Sequence, residues 1–213
     1  MTDATDFLTA TRTFYDAVAE DYAEHFRGLL GAPRDLEVLA SFAALAGPGA
    51  EVADLGCGPG RVTAHLAGLG LRVFGLDLSE SMLAIARREN PHLRFVQGSM
   101  LELDLPDGSL AGVVSWYSSI HTPDEELPRL FREFRRVLAP GGHLLLAFQV
   151  GDAPRHLGRP FGHPVALDFR RRRPERVTGL LEDAGFTLHS RTLRGPDETL
   201  GDSVPQAFLI ARR

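Results

Sequence analysis

The sequence predicts a doubly wound α/β fold, a mostly parallel sheet with helices on both faces. Three observations predict it. From Glu51 onward, short apolar runs of strand length alternate with segments of helical period. The first strand breaks into a glycine loop, Gly56-Cys57-Gly58-Pro59-Gly60, which opens a helix. The second strand ends on an acid, Asp77. It lies about 20 residues past the first glycine, where such folds put the carboxylate that grips ribose hydroxyls.

Taken in chain order, Phe14, Val18, Tyr22 and Phe26 recur at helical spacing and predict a helix over Thr11–Leu30. A second helix is predicted over Arg34–Ala46, stopped by Gly47-Pro48-Gly49. Then come a strand at Glu51–Leu55, a helix from Arg61 to Leu69, and strands at Leu71–Leu76, Leu93–Gln97 and Ala111–Ser115. A helix over Pro123–Leu138 has Thr122 and Glu125 placed as a capping box, with Pro123 at its first position. Its core face reads Leu127, Leu130, Phe131, Phe134 and Leu138. A strand at His143–Val150 follows. The stretch Gly151–Arg173 is long for a connection inside a compact domain; it is expected to be an irregular loop beside the substrate pocket. A last helix at Pro174–Ala184 ends at Gly185, and strands at Phe186–Leu193 and Gln206–Ala211 complete seven.

The chain has 213 residues, 44% hydrophobic and 24% charged, which suits one domain with a substantial core. Within residues 1–213, residues 1–47 are expected to form a helical cap. A net charge of −5 argues against a nucleic-acid partner. The run Arg170-Arg171-Arg172-Arg173 is expected to be a solvated helix entry rather than a phosphate groove. No apolar stretch reaches the ~20 residues that span a bilayer. The acidic N-terminus lacks a signal-peptide pattern, and a single cysteine allows no intrachain disulfide, so a cytoplasmic location is expected. All 23 Lys+Arg residues are arginine, which excludes lysine-dependent chemistry.

The glycine loop and its acid imply a nucleoside-containing cofactor, and the wider motif set narrows the choice. Asp54-Leu55-Gly56-Cys57-Gly58-Pro59-Gly60 resembles motif I of the class I S-adenosylmethionine-dependent methyltransferases. Gly75-Leu76-Asp77-Leu78-Ser79-Glu80-Ser81-Met82-Leu83 resembles that family's ribose-binding segment, which brings in Leu78 and Met82. Gln97-Gly98-Ser99-Met100 resembles the adenine-framing segment, with Ser99 where many members carry Asp. Leu138-Ala139-Pro140-Gly141-Gly142 resembles a late loop of the family. The resemblance covers about Val52 to Phe148. It implies a Rossmann-like sheet of seven strands whose last strand inserts antiparallel between its neighbours. It also implies S-adenosyl-L-methionine as cofactor and S-adenosyl-L-homocysteine as product. It says little about the methyl acceptor.

Each candidate has a plainer role beside the functional one. Asp77 is expected to accept from both ribose hydroxyls; otherwise it caps the next turn. Gly56 and Gly58 bring backbone near the methionine part of the cofactor, and Asp54 orients the loop and faces the ammonium group. Cys57 is locked in this loop and is no nucleophile. The resemblance implies that the N-terminal helix closes over the cofactor, with Tyr22 and Tyr15 reaching into the site; otherwise both rings simply pack in the core. Ser115 and Trp116 end the fourth strand, where the family places residues beside the transferring methyl. Trp116 and Tyr117 are candidates to face the sulfonium, though Trp116 also suits the core. His121 is the general-base candidate on intrinsic pKa, or a structural histidine. His156 and His163, with Arg155 and Asp168, are substrate-pocket candidates.

Missing motifs exclude other acceptors. The fourth strand lacks an Asn/Asp-Pro-Pro-aromatic ending, there is no Pro-Cys nucleophile, and no Lys-Asp-Lys-Glu tetrad exists. No Cys/His cluster supports a metal. The expectation is methyl transfer to oxygen or nitrogen of a small molecule by a monomer or homodimer, with no nucleic-acid or membrane partner. The alternatives are a cofactor-binding protein without transfer and an NAD-dependent oxidoreductase.

Overall fold

The computed structural model describes residues 4–28 and 30–213. A seven-stranded sheet is built from β1 (Glu51–Leu55), β2 (Arg72–Asp77), β3 (Arg94–Gln97), β4 (Leu110–Trp116), β5 (Leu138–Gln149), β8 (Thr187–Arg194) and β9 (Gln206–Arg212). Its order is β3-β2-β1-β4-β5-β9-β8, and β6 (Arg155–Gly158) pairs with β7 (Ala166–Phe169) in a separate hairpin. The pairs within β3-β2-β1-β4-β5 are all parallel, while β9 runs antiparallel to both β5 and β8. The last strand therefore inserts as expected.

Alternation along the strands divides the core between two faces. Ala53, Leu55, Val113, Leu144, Leu146 and Leu209 point to one face, against α5 (Leu127–Val137) and α6 (Pro174–Asp183). Val52, Val114, Leu145, Phe208 and Ile210 point to the other, against α2 (Pro33–Ala46) and α3 (Arg61–Gly68). Phe42 of α2 is fully buried beneath β4. Gly112 makes room for it, since a Cβ there would stand 2.7 Å from the Phe42 ring.

Two further pieces cover the C-terminal edge of the parallel strands. The first helix, α1 (Ala4–His25), packs on α4 (Glu80–Glu89) through Ala19, Ala23, Met82 and Ile85, with Tyr15 and Tyr22 alongside. The β6–β7 hairpin packs on α1 through Leu167 against Phe14 and Val18. Two polar latches fasten these pieces. Asp16 accepts from the Ser79 hydroxyl at 2.6 Å and from the Ser81 amide at 3.3 Å. His163 Nε2 lies 2.7 Å from an Asp21 carboxylate oxygen.

Several expectations need correction. The first helix starts earlier than Thr11 and ends at His25, where Phe26–Gly28 turn; Leu29 of that expectation, and Met1–Asp3 of the cap, lie outside the described residues. The capping box at Thr122 does not form, and α5 begins at Leu127. The Thr122 amide that the box would use donates to the Ser119 carbonyl at 3.1 Å. The Thr122 carbonyl accepts from Arg172, and Asp124 binds Arg172 and Arg176. The run Leu138–Gly142 is not a loop before the strand. It belongs to β5 as a bulge opposite Leu110 and Gly112 of β4, and the Gly141 amide donates to the Arg213 carbonyl. Residues 151–173 are not irregular, because the hairpin occupies their middle. The arginine run is not uniformly solvated, since Arg172 is 4% exposed.

Candidate active site

The loop after β1 is held by backbone. Amides of Gly56 and Cys57 both donate to the Leu76 carbonyl, at 2.7 and 3.0 Å, tying the loop to the end of β2. Gly56 has φ +73, and a Cβ there would lie 2.2 Å from the Ser118 Cβ, so only glycine fits. Gly75 in β2 likewise leaves space for the buried Cys57 sulfur. Burial pushes the Cys57 thiol well above its ordinary value, which keeps it an inert packing group.

Asp77 closes the loop from the other side. One of its carboxylate oxygens accepts from the Gly58 amide at 2.7 Å and the other from the Ser79 amide at 2.9 Å. Burial pushes its pKa up, and those amide bonds work against the push. Its negative charge reaches α1 as well, raising the phenols of Tyr15 and Tyr22, which burial has already raised. The carboxylate, the loop and the two tyrosines thus form one neighbourhood. Leu78 lies between Asp77 and the α4 cap Ser79, and its carbonyl accepts from Gln97. Met82 is buried at the α1–α4 contact. Ser99 accepts from the Leu101 amide, and the Met100 methyl lies 3.3 Å from where a Gly56 Cβ would stand.

Asp54 is buried at the end of β1. One oxygen accepts from the Thr63 hydroxyl at 2.7 Å, which pins α3 to the strand. The other, Oδ1, is buried with no hydrogen-bond donor among the described residues. Burial, opposed by the Thr63 hydrogen bond and reinforced by the Asp77 charge, raises the Asp54 pKa to about 7. A buried carboxylate oxygen with no donor fits a cationic group, as an amino-acid ammonium would supply.

The end of β4 carries the most informative contact. His121 is 5% exposed in a short 3₁₀ turn. Its Nε2 lies 2.8 Å from the Tyr15 hydroxyl and its Nδ1 lies 3.3 Å from the Asp168 carbonyl. The carbonyl can only accept, so Nδ1 carries the proton and Nε2 accepts from Tyr15. Phe169 packs edge-on against the imidazole at 4.8 Å. Burial pulls the His121 pKa down to about 4, with Arg170 and Arg172 adding to the pull and the Asp168 carbonyl opposing it. The ring is therefore neutral at physiological pH. Three elements distant in sequence converge here: α1, the β4 turn and the hairpin.

The side chains of the other candidates do not join this cluster. Ser115 is fully buried and shares a 2.8 Å hydrogen bond with Ser118, whose hydroxyl in turn donates to the Leu55 carbonyl; the pair ties the β4 exit to β1. Trp116 stacks on Phe208 of β9 with centroids 5.2 Å apart. Tyr117, at φ 54, packs edge-on against Trp116 and Phe208. Burial and then the Asp35 charge raise its phenol far above the ordinary range. His156 and Asp168 pair across the exposed hairpin at 2.8 Å, and His163 serves the latch to α1. Arg155 sits opposite Phe169 at the start of β6. Sequence reading missed Asp16, Thr63 and Phe169, and did not pair Tyr15 with His121. Asp16 and Glu20 stand one helical turn apart, the spacing that would have marked a polar seam toward α4. Among the described residues, no group of three or more His, Cys, Asp or Glu could hold a metal.

Comparison with known proteins agrees with this architecture. Residues 52–142 match the methyltransferase domain family model. A relative in Mycolicibacterium smegmatis named "Probable S-adenosylmethionine-dependent methyltransferase" is 31% identical over 169 residues, which cover 75% of this chain and 63% of that protein. The chain thus spans less than two thirds of the length of the first relatives it matches. An uncharacterized methyltransferase of Synechocystis is 31% identical over 149 residues, covering 66% of this chain and 68% of that protein. Among solved structures, the fold resembles Burkholderia thailandensis 1,6-didemethyltoxoflavin-N1-methyltransferase, bound to 1,6-didemethyltoxoflavin and S-adenosylhomocysteine. The TM-score is 0.73 at 19% identity, over 100% of this chain and 91% of that one. The chain belongs to the class I S-adenosylmethionine-dependent methyltransferases.

Proposed function

We propose that this protein transfers a methyl group from S-adenosylmethionine to an oxygen or nitrogen of a small-molecule acceptor. The observation that carries the reading is the hydrogen-bonded Tyr15–His121 pair set against the glycine loop and Asp77. We read the chain as one methyltransferase domain in which α1 caps the cofactor, while α2 of the expected cap packs on the sheet face instead, and residues 151–173 border the acceptor. The Burkholderia neighbour is a 1,6-didemethyltoxoflavin-N1-methyltransferase with 1,6-didemethyltoxoflavin bound, and this chain carries a net charge of −5. Both support a small-molecule acceptor. No described helix is long and apolar enough to cross a membrane.

The residues divide the work. Asp77 would hold the ribose hydroxyls, Asp54 Oδ1 would take the ammonium group, and Met100 and Ser99 would frame the base. When bound, the cofactor supplies a methyl activated by a sulfonium. The chain's own task is alignment and exclusion of water, which well-oriented systems turn into ~7–11 kcal/mol of barrier lowering. An acceptor that must lose a proton gives it to the Tyr15 oxygen as the Tyr15 proton passes to His121 Nε2. The imidazolium so formed then releases its proton to solvent. His121 is a weak base at a pKa of about 4, so its share belongs at the low end of the ~10²–10⁴-fold range for general bases.

The test is turnover of S-adenosylmethionine with a panel of small phenols, acids and amines, read as S-adenosylhomocysteine release. Release with an acceptor, and its loss in Tyr15→Phe, supports the proposal. Cofactor binding with no release on any acceptor favours a cofactor-binding protein instead.

A further inference from the structure

The segment Ser119–Thr122 presents the His121 ring to Tyr15 and its backbone carbonyls to a group of arginines. Arg172 donates to the Ser119 and Thr122 carbonyls, and Arg170 donates to the His121 carbonyl. Together with Arg171, Arg173 and Arg176, these two line a cavity of about 220 Å3 that also includes Asp124 and Asp152. In an acidic protein, this concentrates positive charge in one place.

The ion pairs leave cations over. Asp124 takes Arg172 at 2.9 Å and Arg176 at 2.9 Å, and Asp152 takes Arg173 at 2.5 Å. Among the described residues, Arg170 has a carbonyl and no carboxylate. Arg171 has a buried Nε with no hydrogen-bond partner. Its side chain lies flat against Gly151, where an added Cβ would stand 3.1 Å from the Arg171 Cβ and Cδ. Five arginines and two aspartates thus line one recess. Partly buried like charges are costly unless an opposite charge joins them. Guanidinium forks match the oxygens of phosphate and carboxylate. The volume is below the roughly 300–1,000 Å3 of pockets that enclose a drug-sized ligand. It suits a compact anion, or the anionic end of a larger molecule.

We propose that this arginine-lined cavity is a binding site for a small oxyanion, a phosphate or carboxylate group. Arg171 is its principal free donor, and Gly151 is the residue that lets Arg171 lie in place. The site needs no assumption about the methyl acceptor, so it stands or falls apart from the reading of His121 and Tyr15.

The experiment titrates the whole protein with inorganic phosphate, pyrophosphate and malonate by calorimetry and thermal shift, using chloride at equal ionic strength as control. Wild type is expected to bind at least one of the three where chloride gives nothing. Arg171→Gln is expected to weaken that binding by about tenfold or more, with Arg171→Lys intermediate. Gly151→Ala, which leaves every charge in place but displaces Arg171, should weaken it as well. S-adenosylhomocysteine affinity of these variants should stay at the wild-type value, which confirms that they fold. Repeating the titrations with S-adenosylhomocysteine present separates the two sources of the anion. Mutual coupling marks the acidic end of the methyl acceptor, and independence marks a free anion. No oxyanion binding above the chloride control, or binding equal in wild type and Arg171→Gln, would overturn the proposal.

Discussion

Replacing Asp54 by Asn should stabilise the cofactor-free protein at neutral pH and weaken its hold on cofactor. Asp54 is 1% exposed, and one of its oxygens has no donor. Its pKa lies at about 7 against an ordinary 3.8. The folded state therefore holds the proton more tightly than the unfolded chain does. The stability this represents is fully present below pH ~4 and is lost as pH rises to about 7. About three pH units at 1.36 kcal/mol each give a loss on the order of 4 kcal/mol. Asn carries no charge and should be flat over that window.

Other groups titrate in the same range, His121 with the opposite sign. Its pKa is depressed, so its contribution is lost as pH falls from 6.5 toward about 4. The difference between wild type and Asp54→Asn cancels such terms. Urea unfolding of both at each pH from 4 to 8 gives that difference directly. Binding should run the other way. If the ionised carboxylate pairs with the cofactor's ammonium, affinity for S-adenosylhomocysteine falls roughly tenfold per pH unit below about pH 7. Asp54→Asn should be weak and pH-independent. A stability difference that does not change between pH 4 and 8 would refute the burial argument. Equal, pH-independent binding by both proteins would refute the role.

Other outcomes follow from the same geometry. Tyr15→Phe and His121→Gln should each lower kcat with an acceptor that must lose a proton, and the double variant should lose little more, because the two act as one hydrogen-bonded unit. At saturating cofactor, where the Asp54 binding effect drops out, the wild-type kcat should show no inflection near pH 6.5, since burial keeps His121 neutral down to about pH 4; a clear break there in the kcat profile would contradict this assignment. Asp77→Ala should weaken S-adenosylhomocysteine binding by ~30-fold or more, as it removes a carboxylate that also orders the Gly58 amide. Phe42→Ala should cost about 3–5 kcal/mol in urea unfolding without changing the site's chemistry. Asp16→Ala should speed hydrogen exchange in α1 far more than Glu20→Ala, whose pairing with Arg88 is exposed.

Local signals were legible in the sequence wherever local physics decides them. Apolar runs marked the central strands, because parallel strands buried on both faces must be almost wholly apolar, and period-two alternation marked the half-exposed edge strand β8. The glycine loop and Asp77 were legible for a similar reason. Gly56, Gly58 and Gly60 all stand at positive φ in one tight loop, a local requirement, and the acid sits at a fixed distance from that loop. The failures are long-range. Thr122 and Glu125 carry a proper capping pattern, but Arg172, some 50 residues on, takes the Thr122 carbonyl and Asp124. Trp116 and Tyr117 look alike to sequence reasoning as aromatics at a strand end. Register with β5 and β9 decides that Trp116 lies on Phe208. The Tyr15–His121 contact spans 106 positions and depends on how α1 lies over the sheet, which no periodicity records.

The glycine loop, Asp54 and Asp77 together serve S-adenosylmethionine chemistry in the function proposed above. Calorimetric titration of the protein at pH 8 with S-adenosylhomocysteine, with NADH as control, tests it most directly. S-adenosylhomocysteine should bind and NADH should not, with the former weakened by ~30-fold or more in Asp77→Ala. Binding of NADH alone, or S-adenosylhomocysteine binding untouched by Asp77→Ala, would contradict it.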